Sequence, residues 1–281
     1  MQIIIAKNIG FCFGVERAYQ ISLDTLKKKN GDCQMLGNLV HNENVIADLK
    51  KKGLKFISSP DEAQKGLVII RAHGVGDATI KELELKKVEI VDATCPLVKK
   101  AQDFARKLAK EGREVIIIGE NNHAEVKAIN GSIDNRGIII ESDKEIDKIP
   151  KDKRIGVVVQ TTQNARKINK IIKRLKEIII DIEFCDTLCD AVGKRQEEVR
   201  EIASQRDIVL VVGSKNSANT QRLFEISKEI NEKTFSVENK DSLDASIFFD
   251  GAEVGIISGT SAPIWIIEEI VDELKKIKEN L

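Results

Sequence analysis

Short runs of aliphatic and β-branched residues recur along the chain, each followed by a loop and a charged stretch with apolar residues three or four apart. The runs at Ile3–Ile5, Val68–Ile70, Val88–Val91, Val115–Ile118, Ile155–Val159, Ile178–Ile182, Ile208–Val212 and Val254–Ile257 predict buried strands. Cys33–Leu36 is a further candidate, though it has no β-branched residue. After Pro96, the apolar Val98, Ala101, Phe104, Ala105 and Leu108 repeat at helical spacing with Lys and Arg between them. Strands alternating with amphipathic helices predict βαβ units and an α/β fold with parallel sheets. Charged turns such as Asp147–Arg154 are the best candidates for domain seams.

The pattern repeats three times. A β-run leads to a cysteine that opens a helix at Cys12, Cys95 and Cys189. A strand ending in glycine follows, at Gly37, Gly119 and Gly213, and four residues later stand His41, His123 and Ser217. A later strand in each unit ends in a polar group: His73, Thr161 and Ser261. Units this long exceed a solenoid period and predict compact lobes. We expect three pseudo-symmetric α/β lobes around a central metal-cluster site: residues 13–95, 96–189, and 190–281 together with 1–12.

Length and composition agree with this. The chain has 281 residues, enough for two domains or three small ones. Aromatic residues make up only 4%, so the core must be Ile, Val and Leu. Lys plus Arg and Asp plus Glu are both 45, a balance that argues against nucleic acid or an anionic membrane as the main partner. No apolar run is long enough to cross a membrane, and that at the N-terminus is too short for a signal peptide, which predicts a cytoplasmic protein. Five cysteines in such a compartment point to metal binding or nucleophilic chemistry rather than disulfides.

Residues just past the carboxyl ends of parallel strands face the crevice where open α/β sheets take ligands. All three histidines, His41, His73 and His123, fall at such positions. Cys12, Cys95 and Cys189 stand at helix starts, which favour the thiolate. Their wide spacing excludes a local zinc knuckle but suits three lobes that each present one soft ligand, to zinc or to an iron–sulfur cluster. Cys33 reads as core, and Cys185 is the rival ligand. His41, His73, Ser217, Asn219 and Ser261 form a polar set followed by helix N-termini, suited to a phosphate or diphosphate. No Lys or Arg occupies the repeat's strand-end polar positions. Neither a Walker motif nor an intact GxGxxG is present, since Thr79 follows Gly74 and Gly76 where a third glycine would fall. Glu125, two residues after His123, is a candidate proton donor if burial raises its pKa.

These motifs resemble the 4-hydroxy-3-methylbut-2-enyl diphosphate reductase family, of the LytB/IspH type, along essentially the whole chain. The resemblance is carried by GFCFGV (10–15), LVHNENV (39–45), RAHGV (71–75), DATCPLV (92–98), HAEV (123–126), QTT (160–162), DTLCDAVGKRQ (186–196), GSKNSAN (213–219) and SGTSAP (258–263). It implies an iron–sulfur reductase that removes a hydroxyl from an allylic diphosphate to give isopentenyl and dimethylallyl diphosphate, the last step of the methylerythritol phosphate route. It further implies a [4Fe-4S] cluster on Cys12, Cys95 and Cys189 with one iron open. Diphosphate anchors would be His41, His73, Ser217, Ala218 through its backbone, Asn219 and Ser261. His123 would lie near the substrate, with Glu125 as proton source and Thr161 as its partner close to the substrate hydroxyl. An external one-electron donor of ferredoxin or flavodoxin type is implied. Many members have Ser where this chain has Ala218, and Pro where it has Ala124. A zinc-dependent phosphate-ester hydrolase and a non-catalytic iron–sulfur sensor are the competing classes.

Overall fold

The computed structural model describes residues 1–28 and 33–281. Within them the β-branched runs form β1 (Gln2–Ile5), β4 (Leu67–Ile70), β5 (Glu89–Asp92), β6 (Glu114–Ile118), β8 (Ile155–Val159), β10 (Ile208–Val212) and β12 (Glu253–Ser258). β2 (Cys33–Leu36) forms as expected. Three strands went unread: β3 (Lys55–Ile57), β7 (Ile138–Ile140) and β11 (Thr234–Val237). The strand expected over Ile178–Ile182 is displaced: Ile178 is the last residue of a helix, and β9 runs from Ile182 to Phe184.

The helices are α1 (Phe13–Lys28), α2 (Glu43–Lys51), α3 (Asp77–Leu85), α4 (Pro96–Lys110), α5 (Ala124–Gly131), α6 (Ala165–Ile178), α7 (Asp190–Gln205), α8 (Ala218–Ile230) and α9 (Ile264–Glu279). α4 starts where Pro96 sets the first turn after Cys95, and it buries Val98, Ala101, Ala105 and Leu108 as its period predicts. Gln102 joins that buried face, whereas Phe104 is only partly buried.

The strands assemble into three four-stranded, wholly parallel sheets of one topology, β3-β2-β4-β5, β7-β6-β8-β9 and β11-β10-β12-β1. In the third, β1 supplies the strand that β5 and β9 supply in the others, in register from Gln2 opposite Glu253 to Ile5 opposite Ile256. The turn Asp147–Arg154 lies between β7 and β8 of one sheet, so it is not a seam. A turn rich in charge is what any exposed β–β connection needs.

Two compact units can be distinguished: Met1–Glu16, Val40–Asp48 and Asp190–Leu281 in one, and Arg17–Leu39 with Leu49–Cys189 in the other. The first holds the sheet that contains β1, and the second holds the other two. Strand alternation builds the cores. In the first unit Ile208, Leu210 and Val212 join Ile266, Ile267, Ile270 and Leu274 of α9. Val209 and Val211 join Val199, Ile202 and Leu223 of α7 and α8 on the other face. In the second unit Ile116, Ile118 and Val157 pack on Ile168, Ile171 and Leu175 of α6. Val115, Ile117 and Val158 pack on α4 and α5. Full burial on both faces explains why these strands read as unbroken apolar runs.

In the second unit the loop after β4 meets the end of α5 at a glycine pair. A Cβ on Gly76 would stand 2.8 Å from Gly131 Cα and 3.0 Å from its carbonyl carbon. Gly76→Ala must therefore push backbone from backbone, and we expect a loss of about 1–3 kcal/mol in urea unfolding. An unchanged midpoint would show that the two segments do not approach so closely.

Candidate functional site

The candidate residues stand at equivalent strand ends in each of the three sheets. Gly37, Gly119 and Gly213 directly follow β2, β6 and β10, and their amides donate to Ile57, Ile140 and Val237 of the outer strands at 2.8, 3.0 and 2.9 Å. Two residues past β4, β8 and β12 stand the carbonyls of Ala72, Thr161 and Thr260. They accept from the amides of Cys95 at 2.9 Å, Cys189 at 2.9 Å and Cys12 at 3.1 Å. Each cysteine immediately precedes a helix, and the carbonyls of Cys12 and Cys95 accept the first helical bonds, from Glu16 and Lys99. This register places Thr162, not Thr161, opposite His73 and Ser261 in the repeat, since those two lie three residues past their strands.

The five cysteines fall into two groups. Cys12, Cys95 and Cys189 are partly accessible thiols at helix starts, whereas Cys33 and Cys185 are buried. Cys33 is fully enclosed in β2, and Cys185 packs among Ala101, Leu108 and Val115, where burial pushes its thiol pKa up. A raised pKa works against the thiolate that a metal needs. No three His, Cys, Asp or Glu side chains among the described residues converge as they would on one metal ion. A multi-iron cluster is wider than one ion, so its ligands stand further apart.

In the first unit, Ser217 is the N-cap of α8 and accepts from the Thr220 amide at 3.4 Å, the ordinary role of serine there. Ser261 Oγ donates to Ser217 Oγ at 3.3 Å. Asn219 is 4% exposed, yet neither atom of its amide group has a partner among the described residues. An orphaned buried amide costs stability unless something else fills it. Ala218, the first residue of α8, offers a backbone N–H beside it. His41 adjoins Asn42, whose Nδ2 donates to the Ser261 carbonyl at 2.9 Å, so α2 enters beside the Ser261 loop. Arg195 of α7 is buried and donates to the carbonyls of Gly10 at 2.8 Å and Ser258 at 2.9 Å, fixing the approach to Cys12. Asn42 and Arg195 lay within the quoted motifs but were not singled out.

The second unit holds Cys95, Cys189, His73, His123, Glu125 and Thr161. Glu125 is 2% exposed. Its Oε1 accepts from the Thr161 amide at 2.6 Å, and its Oε2 pairs with Thr161 Oγ1 at 2.9 Å. Burial raises its pKa to about 7 against the lowering effect of those two bonds. His123 caps α5, its Nδ1 accepting from the Glu125 amide at 3.2 Å, which leaves the ring proton of the neutral form on Nε2. His73 meets His123 edge to face, with centroids 5.5 Å apart. Thr187 Oγ1 accepts from the Val159 amide at 3.0 Å and donates to its carbonyl at 2.5 Å, fastening the segment into Cys189. Gln102 Nε2 reaches the carbonyls of Val75 at 2.9 Å and Ala128 at 3.1 Å, tying the loop of His73 to α5. Arg71, directly after β4, was not foreseen; it stands two residues from His73 and outside the repeat positions that were compared.

Comparison with known proteins accords with this arrangement. The family model described as LytB protein matches residues 3–275. A 4-hydroxy-3-methylbut-2-enyl diphosphate reductase of Geotalea uraniireducens is 37% identical over 280 residues, covering 100% of this chain and 99% of the relative. That of Aquifex aeolicus is 36% identical, covering 100% and 98%. A solved structure of (E)-4-hydroxy-3-methyl-but-2-enyl diphosphate reductase, described as the terminal enzyme of the non-mevalonate pathway, aligns with TM-score 0.75 at 36% identity, covering 98% of this chain and 100% of that one. The E-1-hydroxy-2-methyl-but-2-enyl-4-diphosphate reductase of Plasmodium falciparum aligns with TM-score 0.91 at 29% identity, covering 98% and 88%. Both solved structures support the three-sheet α/β fold. No helix among the described residues is long and apolar enough to cross a membrane.

The Glu125 carboxyl couples stability to pH. Its pKa rises from 4.5 unfolded to about 7 folded, so its contribution is fully present below pH 4.5 and is lost as pH rises through 7. The shift corresponds to roughly 3 kcal/mol. In Glu125→Gln this loss should vanish, so the variant should gain on the parent by up to that amount between pH 5 and pH 8. A constant difference between the two in denaturant unfolding across that range would place the carboxyl in its ordinary range.

Proposed function

The chain belongs to the LytB family, and from that premise we propose that it is a 4-hydroxy-3-methylbut-2-enyl diphosphate reductase, converting an allylic diphosphate alcohol to isopentenyl and dimethylallyl diphosphate. The observation that carries the reading is the Glu125–Thr161 pair: a buried carboxyl, its pKa raised by burial to about 7, bonded to a hydroxyl. Loss of a hydroxyl as water needs such a proton. A pKa of about 7 lets the group give up a proton at neutral pH, and the match to the LytB family along residues 3–275 favours reductive dehydroxylation over a phosphate-ester hydrolase.

Three accessible thiols, each at a helix start with its amide pinned to a strand-end carbonyl, suit a [4Fe-4S] cluster with one iron left open, held by Cys12, Cys95 and Cys189. When bound, the cluster supplies a Lewis-acid contact for the substrate hydroxyl and a path for electrons taken singly from an external carrier of ferredoxin or flavodoxin type. The chain's own residues do the rest. Thr161 N–H occupies Glu125 Oε1, so the acidic proton sits on Oε2 against Thr161 Oγ1. With Glu125 protonated, Oε2–H donates to Oγ1 and the threonine hydroxyl turns its own proton outward to the leaving oxygen. In its neutral form His123 carries its proton on Nε2 and offers that donor to the substrate, and His73 is held against its ring. Ser217, Asn219, Ser261, His41, His73 and the Ala218 amide bind the diphosphate; the orphaned Asn219 amide is what such a ligand would satisfy. We place the enzyme in the cytoplasm, acting without nucleic acid or membrane.

Replacing Cys12, Cys95 or Cys189 by Ser should abolish the visible absorption of anaerobically reconstituted protein, whereas Cys33 and Cys185 variants should keep it. Retention in Cys189→Ser with loss in Cys185→Ser would overturn the ligand set. Glu125→Gln preserves shape but has no carboxyl proton. Its turnover should fall at least 10²–10⁴-fold, with the cluster spectrum intact, and near-parent turnover would assign the acid elsewhere.

A further inference from the structure

Arg71 is, among the described residues, a cation without a counterion. Among the described residues neither an ion pair nor a side-chain hydrogen bond engages its guanidinium, and its Nε is buried and unpartnered. The half-buried side chain lies on Gly37, where a Cβ would stand 2.5 Å from Nη1 and 2.9 Å from Cζ. Gly37 also has φ +73°, a conformation that disfavours other residues, so the end of β2 is bare where the guanidinium rests. Burial alone lowers the arginine's pKa, with no carboxylate acting on it. Desolvating a charge is costly unless a partner restores what water supplied. The residue directly follows β4 and is two residues from His73, at the end of a parallel sheet where ligands bind. Structural arginines of the same unit look different: Arg106 is held by Asp77 and Asp103, and Arg113 by Asp181 and Glu183.

We propose that Arg71 is an anion anchor of the second unit, a forked donor for a phosphoryl group whose guanidinium is seated in the space that the missing side chain of Gly37 leaves. Phosphate geometry matches the guanidinium fork, which a point charge cannot reproduce. The natural ligand we assign to it is the diphosphate of the substrate, and only this assignment rests on the reductase reading.

Titration calorimetry on the full-length, cluster-reconstituted protein tests this with two probes, inorganic pyrophosphate and the allylic diphosphate. Arg71→Gln should weaken both about tenfold to hundredfold, the range for loss of a charge-assisted bond. Its ligand-free melting temperature should be equal or higher, because an uncompensated buried charge has gone. Arg71→Met, which keeps the apolar stem, carries the same comparison if the glutamine variant does not fold. Parent-like affinity for both probes in either variant would sink the proposal. Weakening of pyrophosphate alone supports the anion site but overturns the diphosphate of the substrate as its ligand. If the parent fails to bind the allylic diphosphate while pyrophosphate still depends on Arg71, the reductase reading falls and the anion site stands.

Discussion

An amide that donates to a carbonyl two residues past the end of the neighbouring strand holds each of Cys12, Cys95 and Cys189 at the start of its helix. The bond is backbone to backbone, so it does not depend on the side chain: the acceptors are Ala72, Thr161 and Thr260. It ties every candidate ligand to a loop that also carries a candidate substrate contact. In one copy the acceptor is itself chemical. Thr161 gives its carbonyl to Cys189, its amide to Glu125 Oε1 and its hydroxyl to Oε2, so one residue links thiol and acid.

The polar groups at these strand ends are costly, which separates them from the rest of the fold. A carboxyl buried with only a threonine for company loses much of its tendency to ionise, and Glu125 is pushed to about 7. Two donors to one carboxyl would ordinarily favour the anion; here burial is the larger effect. The buried Asn219 amide makes no hydrogen bond within the described protein, although Ser217 beside it caps the helix by accepting from the Thr220 amide. Sites that must bind something keep such unsatisfied groups, while cores do not. The contrast with Cys33 and Cys185, enclosed by aliphatic side chains, follows the same logic in reverse.

What could be read from the letters followed burial. Strands enclosed on both faces appear as Ile and Val runs, and so β4, β6, β8, β10 and β12 were legible. The strands that went unread, β3, β7 and β11, are one and the same position in the repeat, the outer edge beside β2, β6 and β10. They are three or four residues long and only partly buried, so neither run nor alternation stands out. The misplaced β9 has a different cause. The last apolar turn of α6 and the following strand form one stretch of isoleucines, and periodicity cannot divide a helix end from a strand start. At the site, helix-start cysteines and strand-end histidines were visible because position alone marked them. The pairing of Glu125 with Thr161 spans 36 residues, so spacing did not mark it; it was expected from the family resemblance alone, and the structure shows its two hydrogen bonds. Arg71 escaped because comparison of repeats directs attention to equivalent positions, and an arginine one step from such a position is invisible to it.

The closure of the third sheet by β1 explains why a repeat can be threefold in structure yet offset in sequence. In the first two sheets the strand leading to the cysteine comes last, as β5 and β9. In the third, that strand comes from the beginning of the chain, with β1 paired to β12 along four residues. The N-terminal amine is placed near Asp250 at 3.6 Å, and the Gln2 amide donates to Ala252 at 2.7 Å, so the strand is anchored from its first residue. Arg195 and the Ser258 hydroxyl then secure Gly10 at 2.8 and 3.0 Å, where the loop runs from β1 toward Cys12. A cysteine so close to a chain terminus is thereby held by the same backbone register as its two counterparts in mid-chain.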